Sequence, residues 1–246
     1  MKPSLSRRLT AEFLGTVFLL AAVVGSGVAA ERLSGGNVAL ALLANAIATG
    51  AALIALIFTF GSISGAHFNP AVTLADALEG GLTWPEASGY VPVQVLGGVA
   101  GTVVAHLMFG LPVISISNHI RSGPAQFLSE FFASFGLLSV ICGCSRLRST
   151  TVPFAVAAYI TAAYWFTSST SFANPAVTIA RSMTDTFAGI RPIDVPLFIT
   201  AQLFGALGAT LLFRWLVPGL DRGARNVLLA HGSEIAATEI SESAAR

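Results

Sequence analysis

Two asparagines, Asn69 and Asn174, are the residues of this chain whose type and setting best suit a functional site. Each opens the string Asn-Pro-Ala-Val-Thr inside strongly apolar sequence, as Asn69-Pro70-Ala71 and Asn174-Pro175-Ala176. Asn is a preferred helix N-cap and Pro is favoured in the first helical turn, so each string predicts a helix start with unpaired backbone N–H groups facing outward. The side-chain amides can donate hydrogen bonds to the oxygen of a passing molecule. The strings therefore predict the lining of a path.

Covalent chemistry has little support in the sequence. We find no nucleophile with a base, no metal-ligand cluster and no phosphate-binding loop, so we expect no enzyme activity and no cofactor. Cys142 and Cys144 stand two residues apart on a helix and point to different faces, which favours packing over a disulfide or a metal site. The net charge of +1 without a basic cluster gives no reason to expect nucleic acid as a partner.

The composition places the chain in a lipid bilayer. It is 54% hydrophobic and 10% charged, with a mean hydropathy of +0.76. A helix that crosses the hydrocarbon core needs about 20 apolar residues, and six stretches have roughly that length. They are Leu9 to Ala30, Val38 to Phe60, Pro85 to Phe109, Pro124 to Arg146, Val152 to Ser168 and Ile193 to Val217. Two apolar pieces of about half that length begin at Asn69 and Asn174.

Basic residues predict the orientation. Six crossings put nine on one side, namely Lys2, Arg7, Arg8, Arg146, Arg148, Arg214, Arg222, Arg225 and Arg246, and four on the other, namely Arg32, Arg121, Arg181 and Arg191. Both termini are then expected in the cytoplasm, with the chain in the plasma (inner) membrane. The first span also has features of a cleavable signal peptide. A retained helix fits better, because cleavage would remove Glu12, which has a counterpart in the second half.

An internal repeat organises the chain. Three strings recur in order: Ala11 to Leu14 parallels Ser129 to Phe132, Asn69 to Leu74 parallels Asn174 to Ile179, and Gln94 to Gly98 parallels Gln202 to Ala206. With three spans per half, the second copy enters from the opposite side, which predicts an inverted repeat. The expected parts are a cytoplasmic N-terminus at 1–8, a first repeat at 9–109, an extracytoplasmic loop at 110–123, a second repeat at 124–217 and a polar cytoplasmic tail at 218–246.

These strings resemble those of the major intrinsic proteins, the aquaporins and aquaglyceroporins, from Ala11 to about Pro218. The resemblance rests on the duplicated Asn-Pro-Ala strings, on Ala11 to Thr16, on Ser64 to Thr73 and on the Gln-x-x-Gly pairs. It implies an all-α polytopic membrane protein with six transmembrane helices and two re-entrant half-helices, assembled as a homotetramer. It also implies that Glu12 and Glu130 accept hydrogen bonds from the re-entrant loops and that His67 orders the first loop. The alternative for the two carboxylates is a proton relay inside the membrane.

The sequence departs from the family at the outer constriction called the aromatic/arginine filter. The usual arginine, three residues after the second motif Asn, is Val177 here. Carrying over the other filter positions by spacing gives Thr49, Ala162 and Ser171, none of them aromatic or charged. A wide, neutral, arginine-free ring is therefore expected. Arg181, one turn beyond Val177, is expected to be solvated in the outer vestibule; the alternative is that it reaches back toward the ring.

These features predict a passive channel for small uncharged solutes: water, glycerol-like polyols and, by similarity to bacterial aquaglyceroporins of arsenical resistance, arsenous acid and larger methylated arsenicals. One alternative is an ion-coupled secondary transporter, a class that also uses inverted repeats and broken helices. Another is a closed or structural membrane protein of the same fold, which the presence of both Asn-Pro-Ala strings disfavours.

Overall fold

The computed structural model describes residues 3–147 and 149–217 of the 246-residue chain. Within these residues the chain is all-α and contains no strand. Its helices are α1 Leu5–Leu33, α2 Val38–Ser64, α3 Pro70–Glu79, α4 Trp84–Met108, α5 Pro124–Leu147, α6 Val152–Phe166, α7 Pro175–Arg181 and α8 Val195–Leu216. The expected tail at 218–246 lies outside the described residues.

The long helices match the six predicted spans. Five of them, α1, α2, α4, α5 and α8, are long and apolar enough to cross a membrane. The remaining one, α6, is apolar but has 15 residues, and a 3-10 turn at Ser149–Thr151 precedes it. The predicted fold class is confirmed: the protein is an all-α multi-pass membrane protein. Its described residues contain five long apolar helices, the shorter α6 and two half-helices, α3 and α7.

Sequence signals at the helix ends explain the two half-helices. Pro70 and Pro175 occupy first-turn positions, where a missing N–H costs no hydrogen bond. Asn69 and Asn174 cap the two helices from extended backbone. The first half-helix ends at Gly80, whose φ of 82° lies in the left-handed region that glycine adopts without strain.

The two halves of the bundle pack in the same way. Helix α1 packs against α2 and α4, α5 packs against α6 and α8, and α2 meets α6 between the halves. Following the chain through the bundle, residues 110–123 and 182–194 lie at the same end as the start of α8. We call this the loop end, and we call the opposite end, where α1 begins and α8 finishes, the terminal end.

Glycines allow the closest helix contacts, at equivalent places in each half. A Cβ at Gly97 of α4 would lie 2.6 Å from the carbonyl oxygen of Phe13 on α1. A Cβ at Gly205 of α8 would likewise collide with the carbonyl oxygen of Phe131 on α5. Small residues at such crossings let the backbones approach, which is how membrane helices gain packing energy.

Replacing either glycine by alanine should therefore destabilise the bundle. We expect Gly97→Ala and Gly205→Ala each to lower the free energy of unfolding by about 1–3 kcal/mol, the usual cost of overpacking. Gly143→Ala is the matched control, because the nearest atom to its Cβ, on Phe213, is 3.6 Å away. Thermal unfolding in detergent, followed by circular dichroism, measures the differences. Native-like midpoints for Gly97→Ala and Gly205→Ala would contradict the close contacts.

Candidate functional site

The two Asn-Pro-Ala strings meet inside the bundle and bind each other. The Asn69 side-chain amide donates to the carbonyl of Ala173 at 2.8 Å, and the Asn174 amide donates to the carbonyl of Phe68 at 2.8 Å. The Asn69 side-chain oxygen accepts from the backbone N–H of Ala71 at 2.9 Å, and the Asn174 oxygen accepts in the same way within its own helix. Each amide keeps a second N–H, and both asparagines line a cavity.

The segments that precede the two asparagines adopt a backbone conformation that few residues tolerate. Positive φ angles between 49° and 61° occur at Ala66, Phe68, Thr170, Ser171 and Ala173. Ala66 and Phe68 correspond to Ser171 and Ala173 at the 105-residue offset of the motifs, so both copies make the same bends. Non-glycine residues in this region are strained and persist only where their surroundings hold them.

Glu12 holds the first of these segments. Its Oε1 accepts from the backbone N–H of His67 at 3.0 Å and its Oε2 from that of Phe68 at 2.7 Å. Ser64 also donates to Oε1, at 2.6 Å, and Gln94 donates to Oε2, at 2.8 Å. The carboxylate is fully buried and is not among the residues that line the cavity.

Glu130 holds the second segment with the same geometry. Its Oε1 accepts from the backbone N–H of Phe172 and its Oε2 from that of Ala173, both at 2.9 Å. Gln202 donates to Oε2 at 2.6 Å. The placement of both carboxylates agrees with a loop-supporting role, and neither reaches the cavity that a proton relay would have to serve.

His67 lies where the first segment turns toward its half-helix. Its Nδ1 is 3.1 Å from the hydroxyl of Thr73, one turn into α3, and its Nε2 is 3.8 Å from a carboxylate oxygen of Asp76. The ring also packs against Tyr90, with centroids 5.5 Å apart. These contacts tie the segment to α3 and agree with the predicted ordering role.

A cavity of about 70 Å³ runs past both motifs. At about 10–15 Å³ per water molecule, the cavity has room for roughly five to seven water molecules. Its walls are mainly apolar stripes spaced four residues apart on single helices: Leu19 and Val23 on α1, Thr49, Leu53 and Ile57 on α2, Leu137 and Ile141 on α5, and Val152, Val156, Ile160 and Tyr164 on α6. Polar groups come from the motifs and from the loop end.

One of the four predicted filter residues does not lie at the cavity. Thr49, Ser171 and Val177 line the cavity as predicted, but Ala162 is exposed on the outer side of α6 and is absent from the lining. Tyr164 lines the cavity instead, and its hydroxyl shares a hydrogen bond of 3.1 Å with Thr49. The transfer by fixed spacing was wrong because it ignored the face of α6, whose stripe of residues four apart ends at Tyr164.

Arg181 corrects a second prediction. Its side chain is 2% exposed and lines the cavity, so it is not solvated in an outer vestibule. Its Nε donates to the carbonyl of Ala188, and its guanidinium carbon lies 3.4 Å from the ring centroid of Phe172. An aromatic residue, Tyr164, and an arginine, Arg181, thus line the same cavity as the predicted filter residues Thr49, Ser171 and Val177. Its place on the cavity wall agrees with the alternative, in which Arg181 reaches back toward the ring.

A second arginine braces the loop end. The Nε of Arg121 donates to the carbonyl of Gly189 at 2.8 Å, and Nη1 donates to that of Ser169 at 3.1 Å. Its backbone N–H donates to Asp194 at 2.8 Å. Arg121 thus ties the 110–123 loop to the re-entrant segment before Asn174.

A polar clasp joins the same loop to the residues after α7. The backbone and side-chain N–H groups of Asn118 donate to Asp185 at 2.9 and 3.0 Å and lower the pKa of that carboxyl below its usual value. Because its pKa is lowered, the Asp185 carboxyl is ionised at neutral pH and accepts both hydrogen bonds. The stability that these bonds contribute is lost only as the pH falls through the lowered pKa of Asp185. At neutral pH the 110–123 loop and the residues after α7 are therefore joined by these two hydrogen bonds.

The fold and this pair of helix starts define a class of membrane protein, and sequence comparison identifies it. The family model for the major intrinsic proteins matches residues 1–165 and 144–242, so the chain belongs to the major intrinsic protein family. The resemblance in its motifs is thereby confirmed.

Individual relatives agree with this assignment. The chain is 56% identical over 213 residues to Aquaglyceroporin AqpS of Rhizobium meliloti (strain 1021), covering 87% of this chain and 91% of that protein. It is 30% identical over 231 residues to Aquaporin NIP1-3 of Oryza sativa subsp. japonica, covering 91% and 78%. The solved structure of the aquaglyceroporin from Plasmodium falciparum matches with a TM-score of 0.65 at 20% identity, covering 88% of this chain and 97% of that one, and supports the fold.

The role of the buried carboxylates can be tested by Glu130→Gln. Both oxygens of Glu130 accept from N–H donors, and the amide NH₂ of Gln cannot accept, so a donor would face a donor. We expect a loss of about 1–3 kcal/mol in stability, the cost of an unsatisfied buried group, and a similar loss for Glu12→Gln.

Glu31→Gln is the control, because Glu31 is exposed and accepts from Phe187 at 3.3 Å. Thermal unfolding in detergent compares the three variants with the native protein. A Glu130→Gln variant as stable as Glu31→Gln would argue against a loop-supporting role.

Proposed function

We propose that the protein is a passive channel for small uncharged solutes, water and glycerol-like polyols among them. The observation that carries this proposal is the meeting of two helix N-termini at one cavity, with Asn69 and Asn174 on its wall. Irregular backbone at membrane depth occurs where protein buries it or where it lines a watery path. The names of the relatives, aquaporin and aquaglyceroporin, support the same class of solute.

Helix dipoles supply selectivity at the centre of this cavity. The N-termini of α3 and α7 carry partial positive charge, and both point at the region of the two asparagines. Cations are repelled there, while the amide N–H groups can replace part of the hydration of a neutral oxygen-bearing solute. The arrangement therefore favours polar molecules without charge.

The two alternative functions receive less support. An ion-coupled transporter needs an ion site or a titratable relay on the path. The two carboxylates that the sequence offered for this role, Glu12 and Glu130, accept from backbone N–H groups of the re-entrant segments and do not line the cavity. A closed or structural protein needs no polar lining, whereas this cavity places both motif asparagines, Thr49 and Tyr164 on its wall. Flux that responds to a pH or sodium gradient would favour the transporter.

Arsenous acid is the finer candidate among the solutes. At neutral pH it is uncharged, polyhydroxylated and of roughly glycerol dimensions, so the same donors suit it. Methylated arsenicals are bulkier and less polar, and the apolar stripes opposite the motifs, including Leu53 and Val156, suit a methyl group. Val177, at the position of the usual filter arginine, leaves that part of the wall small and apolar.

We also propose a homotetramer in the plasma (inner) membrane with both termini in the cytoplasm. The distribution of basic residues, with Arg7, Arg8 and Arg214 at the terminal end, supports the orientation. Large apolar side chains on the outer faces, such as Phe18 and Phe154, suit lipid or neighbouring subunits.

Substitution of Val177 tests the channel and its filter together. Val177 is 5% exposed and lines the cavity, so Val177→Arg adds bulk and a guanidinium to a confined space. We expect the native protein to accelerate the swelling of proteoliposomes in gradients of glycerol and of arsenous acid. We expect Val177→Arg to reduce both rates by at least about tenfold, as a narrower charged ring would.

Val113→Arg serves as the control, because Val113 is exposed on the 110–123 loop, away from the cavity. Stopped-flow light scattering measures the rates. Equal swelling rates for the native protein and Val177→Arg would show that Val177 does not line the constriction. Glycerol flux without arsenous acid flux would refute the arsenical part of the proposal alone.

A further inference from the structure

Arg181 is held in one orientation by two contacts. Its guanidinium carbon lies 3.4 Å from the centroid of the Phe172 ring, and its Nε donates to the carbonyl of Ala188. A planar guanidinium stacked on an aromatic face and bonded at one edge has little rotational freedom. Phe172 is itself fixed, since its backbone N–H binds Glu130 and its ring packs edge-on against Phe198.

The remaining donors of this guanidinium have no protein partner among the described residues. Among the described residues, the bond from Nε to Ala188 is the one hydrogen bond of the Arg181 guanidinium. No carboxylate of the described residues lies within ion-pair distance of that guanidinium. Because Arg181 lines the cavity, its terminal nitrogens are available to an oxygen inside it. The charge is buried but uncompensated by an adjacent carboxylate.

The neighbours of Arg181 strengthen its positive field. Arg121 also lies over the Phe172 ring, with its guanidinium carbon 5.1 Å from the centroid. The buried carboxylate of Glu130 accepts from two backbone N–H groups of the re-entrant segment and from Gln202. Two guanidinium groups therefore lie over the Phe172 ring at the loop end: that of Arg181 lines the cavity, and that of Arg121 lies behind the cavity wall.

We propose that Arg181 is a specificity-determining residue of the channel, which supplies from the last turn of α7 the cationic hydrogen-bond donor that Val177 does not supply. It repels small cations from the loop end and donates to the hydroxyl groups of neutral solutes. This inference rests on the proposed function, since it assigns selectivity to the same cavity. It also explains how a chain with Val at position 177 keeps a guanidinium at its constriction.

The direction of side chains on a helix explains why Arg181 lies near Val177. Helix side chains lean toward the N-terminus of their helix, so a residue at 181 covers the turn that holds Val177. The Phe172 ring then supports the guanidinium from the side of the re-entrant segment. Tyr164 and Ser171 also line the cavity, and the Ser171 hydroxyl has no hydrogen-bond partner among the described residues. Together these groups form a polar loop end beside otherwise apolar stripes.

The experiment compares two fluxes in proteoliposomes that contain the full chain. Glycerol entry is measured by light scattering, and sodium entry by a sodium-sensitive dye inside the vesicles under an imposed potential. The variants are Arg181→Gln, the double variant Val177→Arg/Arg181→Gln, and Arg32→Gln. Arg32 is the matched control, because it also lies over a phenylalanine ring, that of Phe109 at 5.4 Å, and donates to a carbonyl, but it is exposed and does not line the cavity.

We expect the native protein to pass glycerol and exclude sodium. Arg181→Gln should raise sodium entry at least about tenfold, because a like charge a few ångströms away no longer opposes the ion. The double variant should restore exclusion by returning a guanidinium to the ring, and Arg32→Gln should behave as the native protein. Arg181→Met, which keeps an unbranched stem against Phe172, replaces Arg181→Gln if the latter does not elute as a monodisperse peak.

The outcomes separate the two proposals. Sodium entry in a folded Arg181→Gln or Arg181→Met protein that equals the native value, while glycerol still passes, would overturn the role of Arg181 and leave the channel intact. Sodium entry through the native protein as fast as through Arg181→Gln would overturn it as well. Absence of glycerol flux in the native protein would instead overturn the proposed function.

Discussion

The structure depends on one constraint: backbone that is neither helix nor strand lies in the middle of an apolar bundle, and its polar groups need partners. Two buried carboxylates meet this need. Glu12 and Glu130 each accept from consecutive backbone N–H groups of a re-entrant segment, which would otherwise be costly to bury. The bends at positive φ, the placement of Asn69 and Asn174 and the existence of a polar strip in the cavity all follow from these bonds.

The inverted repeat makes the contacts at the centre of the bundle symmetric, but the two half-helices end differently. Both halves use the same carboxylate, glutamine and asparagine contacts, with Gln94 bonding Thr73 and Gln202 bonding Thr178. The two half-helices differ in length, and only the second ends in an arginine. The guanidinium of Arg181 therefore lies at the loop end of the cavity, while the centre offers a symmetric pair of amide donors.

Sequence reasoning predicted the elements with strong local signals and missed those fixed by tertiary contacts. The length of the apolar stretches predicted the five long helices and the shorter α6. The Asn-Pro starts predicted the half-helices, because capping and proline geometry are local. Ala162 was assigned by counting from the second motif, whereas the four-residue stripe through Val156 and Ile160 points to Tyr164. The burial of Arg181 could not be read from sequence, since Phe172 and Ala188, its two partners, lie on separate loops.

The crossed amide bonds at the centre have a consequence for biosynthesis. Asn69 bonds to Ala173 and Asn174 bonds to Phe68, so each half of the chain completes the centre of the other. When the first half has been inserted, the Asn69 amide and the Phe68 carbonyl still lack these partners, which are more than 100 residues further along the chain. The first re-entrant segment therefore reaches its final hydrogen bonding only after the ribosome has made the second, and maturation of the centre is a late step that joins the two halves.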